Sequence, residues 1–486
     1  MQRNLTIVTL ACVVVVVLFT LYGYRNEQLD DSYIFYSYAQ NLANGNGYVF
    51  NIGQRVNATT SPLYTILLAL LHRALRVFPF VTIPLIGHLI GVISLFFLCF
   101  FLMRCFESER ASLFPFVLPL VFLASPLLPK AVGMETFLAM MLGVICLSFY
   151  ARERLLAASL ACSFAVLARP DMVLLAAVLV IYDFLRNRRI PTLRMVFVFL
   201  LPIVVWLAFS LAYFGKLLPS TVSAKLVQSD IGLWGPGLVF WQGLLSRYAW
   251  YGGHAVRDLL AISVLMGAVV MVLKFRHWSV LWHPVLHLIL LWNLVYLVAY
   301  GLILNAPAYS WYYAPLSLGI TLIITLPLEG FYRLFSNNTE RHWIALPLIY
   351  LALLLADFVF PFVGSRQPIS PIEQNYKMAA EWLNANARPG SSVGTNCIGT
   401  LRYFYKKGPV IDGAGLVTPE VVEHLKRRDY NWYVHHYRPN YLLFQHPPYP
   451  TVEGMVYEEW FRKEYTLRKV FRSSRHAAAI YERQGP

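Results

Sequence analysis

Long apolar runs separated by short polar segments dominate the chain up to about residue 361. A helix needs roughly 20 apolar residues to cross a bilayer, and many of the runs approach that length. The first run lacks a small-x-small cleavage site and is long for a signal-peptide core, so a retained helix is favoured over a cleaved leader. The pattern predicts about 11 transmembrane helices, at residues 4–22, 81–103, 112–127, 136–151, 154–168, 172–186, 195–214, 258–274, 281–303, 312–329 and 343–361.

Basic segments between the runs predict the orientation of the chain. Lys and Arg cluster at 104–110, 151–154, around residue 190, at 274–277 and at 332–342. Cytoplasmic loops of membrane proteins are enriched in these residues, so these segments and the N-terminus are expected to be cytoplasmic. The loops at 23–80, 128–135, 215–257 and 304–311, and the chain from residue 362, then face outside.

This orientation requires that residues 60–75, TSPLYTILLALLHRAL, do not cross the membrane. Pro62 suits a first helical turn, and the far end of the segment is basic. The segment is therefore predicted to be an interfacial helix.

Beyond Pro371 the pattern changes to an amphipathic helix, a Pro-Gly turn and short strands around PVIDGAGLV and PNYLLFQ. The alternation predicts an all-α membrane bundle over residues 1–361 and an outward α/β domain over 362–486.

Composition supports this division and excludes some functions. Only 13% of the residues are charged, against about 25% in ordinary globular domains. The net charge of +15 follows from the basic loops and tail, and no nucleic-acid motif accompanies it. Five of the six cysteines lie in or beside apolar runs, so neither a disulfide framework nor a Cys-rich metal site is expected.

Two adjacent carboxylates, Asp30 and Asp31, follow the first run in QLDDSYIFYSYAQNLANGNG. A single acidic residue there would be an ordinary solvent-exposed residue beside the end of a helix. Two adjacent carboxylates repel each other, which favours a reaction centre. The NGNG stretch is no phosphate loop, because it lacks GK[ST] and a preceding strand.

Other outward segments carry further candidates. Each has a structural alternative: an acidic residue can complement a helix dipole, a lysine can anchor at the interface, and tyrosines can form an aromatic belt. In LARPD, a charge inside the bilayer needs a partner, so its Arg and Asp are expected to pair or to lie among headgroups. The candidates are Tyr33, Arg55 and Thr60 in the first loop, Glu135 in the second, Lys216 and Lys225 in the third, Tyr309, Trp311 and Tyr312 in the fourth, and Arg169 with Asp171.

Together these groups suit a lipid-linked sugar phosphate. Cations would bind its phosphate, aromatic rings its sugar, and a carboxylate would deprotonate the acceptor hydroxyl. The pair could also hold a divalent cation, although the spacing of the sequence supplies no further ligand.

The segment DDSYIFYSYAQNLANGNGYVFNIGQRVNATTSPL resembles the first outer loop of GT-C-fold glycosyltransferases, in particular the branch of the mycobacterial terminal arabinofuranosyltransferase. GMET, LARPD, GKLLPSTVSAK and IGTLRYFYKKGPVIDGAGLVTPEV are also similar to that family. The resemblance implies a bacterial inner-membrane enzyme that moves a sugar from a polyprenyl-phosphate donor to a glycan or glycolipid hydroxyl, with inversion, on the extracytoplasmic side.

The resemblance places the catalytic base at Asp30 or Asp31 without choosing between them, a second acidic position at Glu135 and a phosphate contact at Lys225. The sequence departs from the family at Ser37, Gln54 and Asn57, where Arg, Glu and Glu are usual. Two other classes stay open: a transporter or flippase of lipid-linked sugars, and a non-catalytic envelope assembly factor. A transporter would be expected to carry charges along a path inside helices and internal repeats, neither of which is evident.

Overall fold

A computed structural model describes residues 2–24, 29–107, 113–128, 131–233, 235, 238–251, 265, 279–336, 371–473 and 476–485. The chain forms two compact units, and each combines segments that are distant in sequence. The first unit comprises Met1–Arg25, His88–Ile203 and Gly237–Arg366, and the second comprises Asn26–Gly87, Val204–Pro236 and Gln367–Pro486.

Helices account for most of the described chain before residue 337. They are α1 (Gln2–Tyr24), α2 (Asp30–Ala43), α3 (Pro62–Leu75), α4 (Ile83–Cys105), α5 (Phe114–Leu123), α6 (Thr136–Ala151), α7 (Leu155–Ala168), α8 (Val173–Asn187), α9 (Leu193–Phe214), α10 (Ser220–Asp230), α11 (Val239–Tyr251), α12 (Pro284–Val298, continued by a π-helical turn at Ala299–Ile303), α13 (Ser310–Tyr313) and α14 (Leu316–Ser336).

The predicted apolar runs form helices where the structure describes them, whereas α2, α10 and α11 lie in segments that were predicted as outer loops. Three are long and apolar enough to cross a membrane: Ile83–Cys105, Leu193–Phe214 and Pro284–Ile303. Other apolar helices, such as Thr136–Ala151 and Leu155–Ala168, are shorter. The predicted run at 343–361 and all but residue 265 of the run at 258–274 lie outside the described residues, so the count of eleven spans stays a prediction.

The first loop folds tightly between α2 and α3, as its turn-forming residues predict. Gly45, Gly47 and Gly53 have positive φ values of 80°, 88° and 84°, a region that glycine enters without steric cost. At Gly47 a Cβ would also lie 2.4 Å from the Tyr213 hydroxyl. The loop therefore depends on glycine for both its backbone conformation and its packing.

The C-terminal region contains an α/β arrangement, as predicted. Its elements are α15 (Pro371–Asn386), β1 (Val393–Thr395), α16 (Gly399–Phe404), β2 (Val410–Asp412), α17 (Val421–Lys426), α18 (Trp432–Tyr437), β3 (Tyr441–Gln445), α19 (Pro450–Glu453), α20 (Glu459–Glu464), β4 (Tyr465–Ser473) and β5 (His476–Arg483).

The five strands form one mixed sheet in the order β2-β1-β3-β5-β4. β1 runs parallel to both β2 and β3, with Val393 opposite Val410 and Tyr441. β5 pairs antiparallel with β3 and with the edge strand β4. The sequence pattern predicts β2 and β3 but misses this β4–β5 hairpin.

The core of the second unit joins all three of its segments. Residues of α15 and the sheet, including Leu383 and Leu442, are completely buried. Ile34 and Tyr38 of α2 and Ala224 of α10 belong to the same cluster. The sheet therefore packs with the first loop and with α10. The division at 361/362 stays a prediction.

Candidate functional site

The two carboxylates of the pair have different surroundings within the second unit. Asp30 is the first residue of α2, and both of its carboxylate oxygens accept backbone hydrogen bonds from α16. Oδ2 accepts the N–H of Gly399 at 3.0 Å, and Oδ1 accepts the N–H of Thr400 at 2.8 Å. The first N–H groups of a helix have no hydrogen-bond acceptor within that helix. The Asp30 carboxylate is the acceptor for two such N–H groups of α16. Asp30 therefore fastens α2 to α16.

Close backbone approach makes this contact possible. A Cβ built on Gly399 would lie 1.9 Å from the carbonyl oxygen of Asp30 and 3.2 Å from the amide nitrogen of Ile34. No side chain fits there, so the contact requires glycine.

Opposing effects act on the Asp30 carboxyl. Desolvation by the surrounding protein raises its pKa above the ordinary value, and the two N–H donors oppose that rise. The neighbouring Asp31 raises the pKa further by charge repulsion. The Asp30 amide also donates to Glu373 Oε1 at 3.3 Å. Asp30 thus forms hydrogen bonds through both its backbone N–H and its carboxylate.

Asp31 has a cation beside it instead. Its Oδ2 lies 3.5 Å from Lys225 Nζ, and the two side chains are 28% and 34% exposed. Successive residues of an α-helix point about 100° apart, so the two carboxylates of the pair project in different directions. Asp31 therefore combines a nearby positive charge with access from solvent.

The position of Lys225 follows from the anchoring of α10. The Ser220 amide, at the start of the helix, donates to the Asn57 carbonyl at 2.8 Å. Near its other end, Gln228 Nε2 donates to the Ala414 carbonyl at 2.7 Å. Both carbonyls belong to the second unit, so the loop after α2 and the loop after β2 hold α10 where Lys225 reaches Asp31.

The other predicted residues of the second unit lie outside this ion pair. Tyr33 is buried, with its ring centroid 5.2 Å from that of Tyr403, and it serves as a core aromatic of α2. Arg55 is exposed and lies over the Tyr213 ring at 4.7 Å. Lys216 is exposed and Thr60 is partly buried.

A buried charge cluster occupies the first unit. Arg169 Nε lies 3.0 Å from Asp171 Oδ1, and Nη2 lies 2.6 Å from Oδ2, which makes a two-pronged ion pair. Arg169 Nη1 is 3.8 Å from Glu135 Oε1, and Tyr300 donates to Asp171 at 2.7 Å. The expected pairing of Arg169 with Asp171 is confirmed. Buried charges are tolerated when they are paired and hydrogen-bonded in this way.

Aromatic rings adjoin the cluster. Tyr309 and Trp311 stack with centroids 4.6 Å apart, and Arg169 lies 6.0 Å from the Tyr312 ring centroid. The Trp311 carbonyl accepts a hydrogen bond from Arg169 at 3.2 Å. LARPD therefore contacts the fourth loop inside this unit. Convergence of this cluster with the Asp pair stays a prediction.

Sequence reasoning missed several partners. Gly399, Thr400 and Glu373 all contact Asp30, and Tyr300 contacts Asp171. The segment IGTLRYF holds the first two, but nothing in its letters indicates a partner 369 residues away. Within the described residues, no group of three or more His, Cys, Asp or Glu is placed to hold a metal ion.

Comparison with protein families gives a match in the C-terminal region. A family described as a domain of unknown function, DUF8728, matches residues 368–483. No curated protein sequence matches the chain.

Solved structures match the whole chain. ArnT from Cupriavidus metallidurans bound to undecaprenyl phosphate matches with a TM-score of 0.62 at 12% identity, over 99% of this chain and 98% of that chain. The mycobacterial arabinofuranosyltransferase AftD matches with a TM-score of 0.53 at 14% identity, over 100% of this chain and 40% of AftD.

An Archaeoglobus fulgidus oligosaccharyltransferase tethered to an acceptor peptide matches with a TM-score of 0.52 at 13% identity, over 90% of this chain and 69% of that one. All three are GT-C-fold glycosyltransferases. The expectation drawn from the first loop is therefore confirmed at the level of architecture: the chain has the GT-C fold.

Proposed function

We propose that this protein is a membrane glycosyltransferase that moves a sugar from a polyprenyl-phosphate donor to a hydroxyl of a cell-envelope glycan or glycolipid. The GT-C fold supports the reaction class, and the structural neighbour bound to undecaprenyl phosphate supports the donor class. The neighbouring arabinofuranosyltransferase supports a glycan acceptor. The enzyme would act at the extracytoplasmic face of a bacterial inner membrane.

The observation that carries the proposal is the Asp31–Lys225 pair at the start of α2. Asp31 is the general base, because its carboxylate is partly exposed, whereas both oxygens of Asp30 already accept hydrogen bonds. Asp30 is a positioning residue, which fixes the first turn of α2 and hence the direction in which Asp31 points.

The proposed reaction is a single displacement with inversion. Asp31 takes the proton of the acceptor hydroxyl as its oxygen bonds to the anomeric carbon. The bond from that carbon to the phosphate oxygen breaks, and polyprenyl phosphate leaves with the electron pair. Lys225 stabilises the charge that develops on the leaving phosphate. Arg55 and Lys216 are exposed cations of the same unit that would assist in binding it.

Tyr309 and Trp311 of the first unit stack on each other, and aromatic rings of this kind suit the apolar face of a sugar. Arg169 and Asp171 form an ion pair with each other and stabilise the cluster. Glu135 is the second acidic residue that the family resemblance implies.

The test is sugar transfer by the purified protein in proteoliposomes. The donor is a polyprenyl phosphate carrying a radiolabelled sugar, offered in separate reactions as arabinofuranose and as hexoses, with envelope glycans as acceptors. The proposal predicts labelled glycan together with release of free polyprenyl phosphate. A lipid-linked sugar that crosses the bilayer intact would indicate a transporter, and a lack of both activities would indicate an assembly factor.

A further inference from the structure

A groove of about 590 Å³ lies in the C-terminal sheet region, entirely within the second unit. It is bordered by the end of α20, the start of β4 and the segment after β3. Its volume falls within the roughly 300–1,000 Å³ of typical ligand pockets. None of the residues assigned above to the transfer reaction lines it, so the groove requires its own explanation.

One wall of the groove is aromatic and firmly packed. Phe461 and Tyr465 stack with centroids 5.1 Å apart, and Tyr481 meets Phe461 edge-on at 5.3 Å. These three rings are buried, whereas Tyr457 on the same groove is 60% exposed. A fixed aromatic wall therefore carries one large ring that is open to solvent.

The other side of the groove is polar. Gln484 Nε2 donates to Thr466 Oγ1 at 2.6 Å, which orients both side chains. Arg462 is exposed and forms no ion pair with any residue that the structure describes. Neither Asp nor Glu lines the groove. Hydrogen-bond donors and acceptors therefore face an aromatic wall, with one uncompensated positive charge.

We propose that this groove binds a short oligosaccharide segment of the acceptor glycan, an inference that rests on the proposed glycosyltransferase function. A sugar ring has an apolar C–H face, which packs on an aromatic ring, and an edge of hydroxyl groups, which need hydrogen-bond partners once they leave water. Tyr457 offers the first surface, and Arg462, Thr466 and Gln484 offer the second.

An extended peptide is the main rival occupant, because β4 is an edge strand and edges can accept a further strand. Arg468, Lys469 and Arg472 project from β4 and are exposed. Charged side chains on an edge strand oppose strand addition. The pattern on β4 therefore favours the glycan.

The inference is tested with the full chain in detergent micelles on a printed array of bacterial envelope oligosaccharides. We expect binding of at least one structure and a loss of roughly tenfold or more in affinity for Tyr457→Ala and for Arg462→Ala. Tyr457→Phe keeps the ring and should retain binding. Tyr430→Ala and Arg427→Ala change residues of the same region outside the groove and should bind like the parent protein.

Each outcome separates this inference from the proposed reaction. Binding that survives in Asp31→Asn, while transfer is lost, supports both. If sugar transfer occurs but no oligosaccharide binds, or if the groove variants bind normally, the groove assignment is wrong and the enzyme assignment stands. If oligosaccharides bind and no transfer is found with any donor, only the reaction is wrong. Competition by extended peptides at the groove would indicate the rival occupant.

Discussion

Replacement of Gly399 by alanine should uncouple α16 from α2. The new Cβ would lie 1.9 Å from the Asp30 carbonyl oxygen, whereas close C···O contacts are about 3.3 Å. The start of α16 must therefore retreat by about 1.4 Å. Such a shift would stretch the 3.0 and 2.8 Å hydrogen bonds from Gly399 and Thr400 to the Asp30 carboxylate beyond useful range.

The expected cost is large, because hydrogen bonds to charged groups contribute about 1.5–3 kcal/mol each. Losing two of them should lower the free energy of unfolding by about 3–6 kcal/mol and Tm by about 6 °C or more. Transfer should fall as well, because the first turn of α2 carries Asp31.

Thermal unfolding of the purified chain, followed by tryptophan fluorescence, measures the effect. Gly454→Ala is the matched control, since a Cβ there meets nothing within 4 Å. If Gly399→Ala unfolds at the same temperature as Gly454→Ala and transfers sugar at the parental rate, the contact does not hold α2 and the reasoning fails.

Three further results are expected. Lys225→Gln should release polyprenyl phosphate at least about tenfold more slowly than Lys216→Gln, because Lys225 lies 3.5 Å from Asp31 and its charge stabilises the leaving phosphate; equal rates in the two variants would contradict that role. Arg169→Ala should lower stability by about 3–5 kcal/mol, because it leaves the buried Asp171 carboxylate without its partner, and an unchanged Tm would refute this. Burial raises the pKa of Glu453 from 4.5 to about 7, so the folded protein holds this proton more tightly than the unfolded chain. Stability should therefore fall by about 3 kcal/mol as the pH rises from 4.5 through 7, and Glu453→Gln, compared by urea unfolding at pH 5 and pH 8, should lose that part of the dependence.

The apolar helices before residue 337 could be predicted because long apolar runs bounded by polar segments indicate helices, and three of the described helices are long enough to cross a membrane. α6, described as Thr136–Ala151, has the same bounds as its predicted run. The tight turns at Gly45 and Gly47 could also be predicted from the sequence, since only a few residue types favour the positive φ values that these residues adopt.

The hairpin of β4 and β5 could not be predicted from the sequence in the same way. β4 is an edge strand whose exposed Arg468, Lys469 and Arg472 interrupt the alternation of apolar and polar residues. A strand that buries little side-chain surface gives little periodic signal. Its pairing with β5 appears only in the folded chain.

The sequence also could not assign distinct roles to Asp30 and Asp31. The two residues are chemically identical neighbours, and what separates them is a contact to Gly399 and Thr400 on one side and to Lys225 on the other. The resemblance located the pair, and the tertiary contacts distinguish its members.

Sugar transfer by Asp30→Asn and Asp31→Asn, measured side by side with purified protein, tests the central claim most directly. We predict that Asp31→Asn lowers the rate of transfer by about 10²–10⁴, the usual contribution of a general base, while its Tm is unchanged. Asp30→Asn should lower Tm and retain measurable transfer, because its amide oxygen can still accept one of the two α16 hydrogen bonds. Transfer at the parental rate by Asp31→Asn, or a loss of transfer confined to Asp30→Asn, would contradict the assignment of Asp31 as the base.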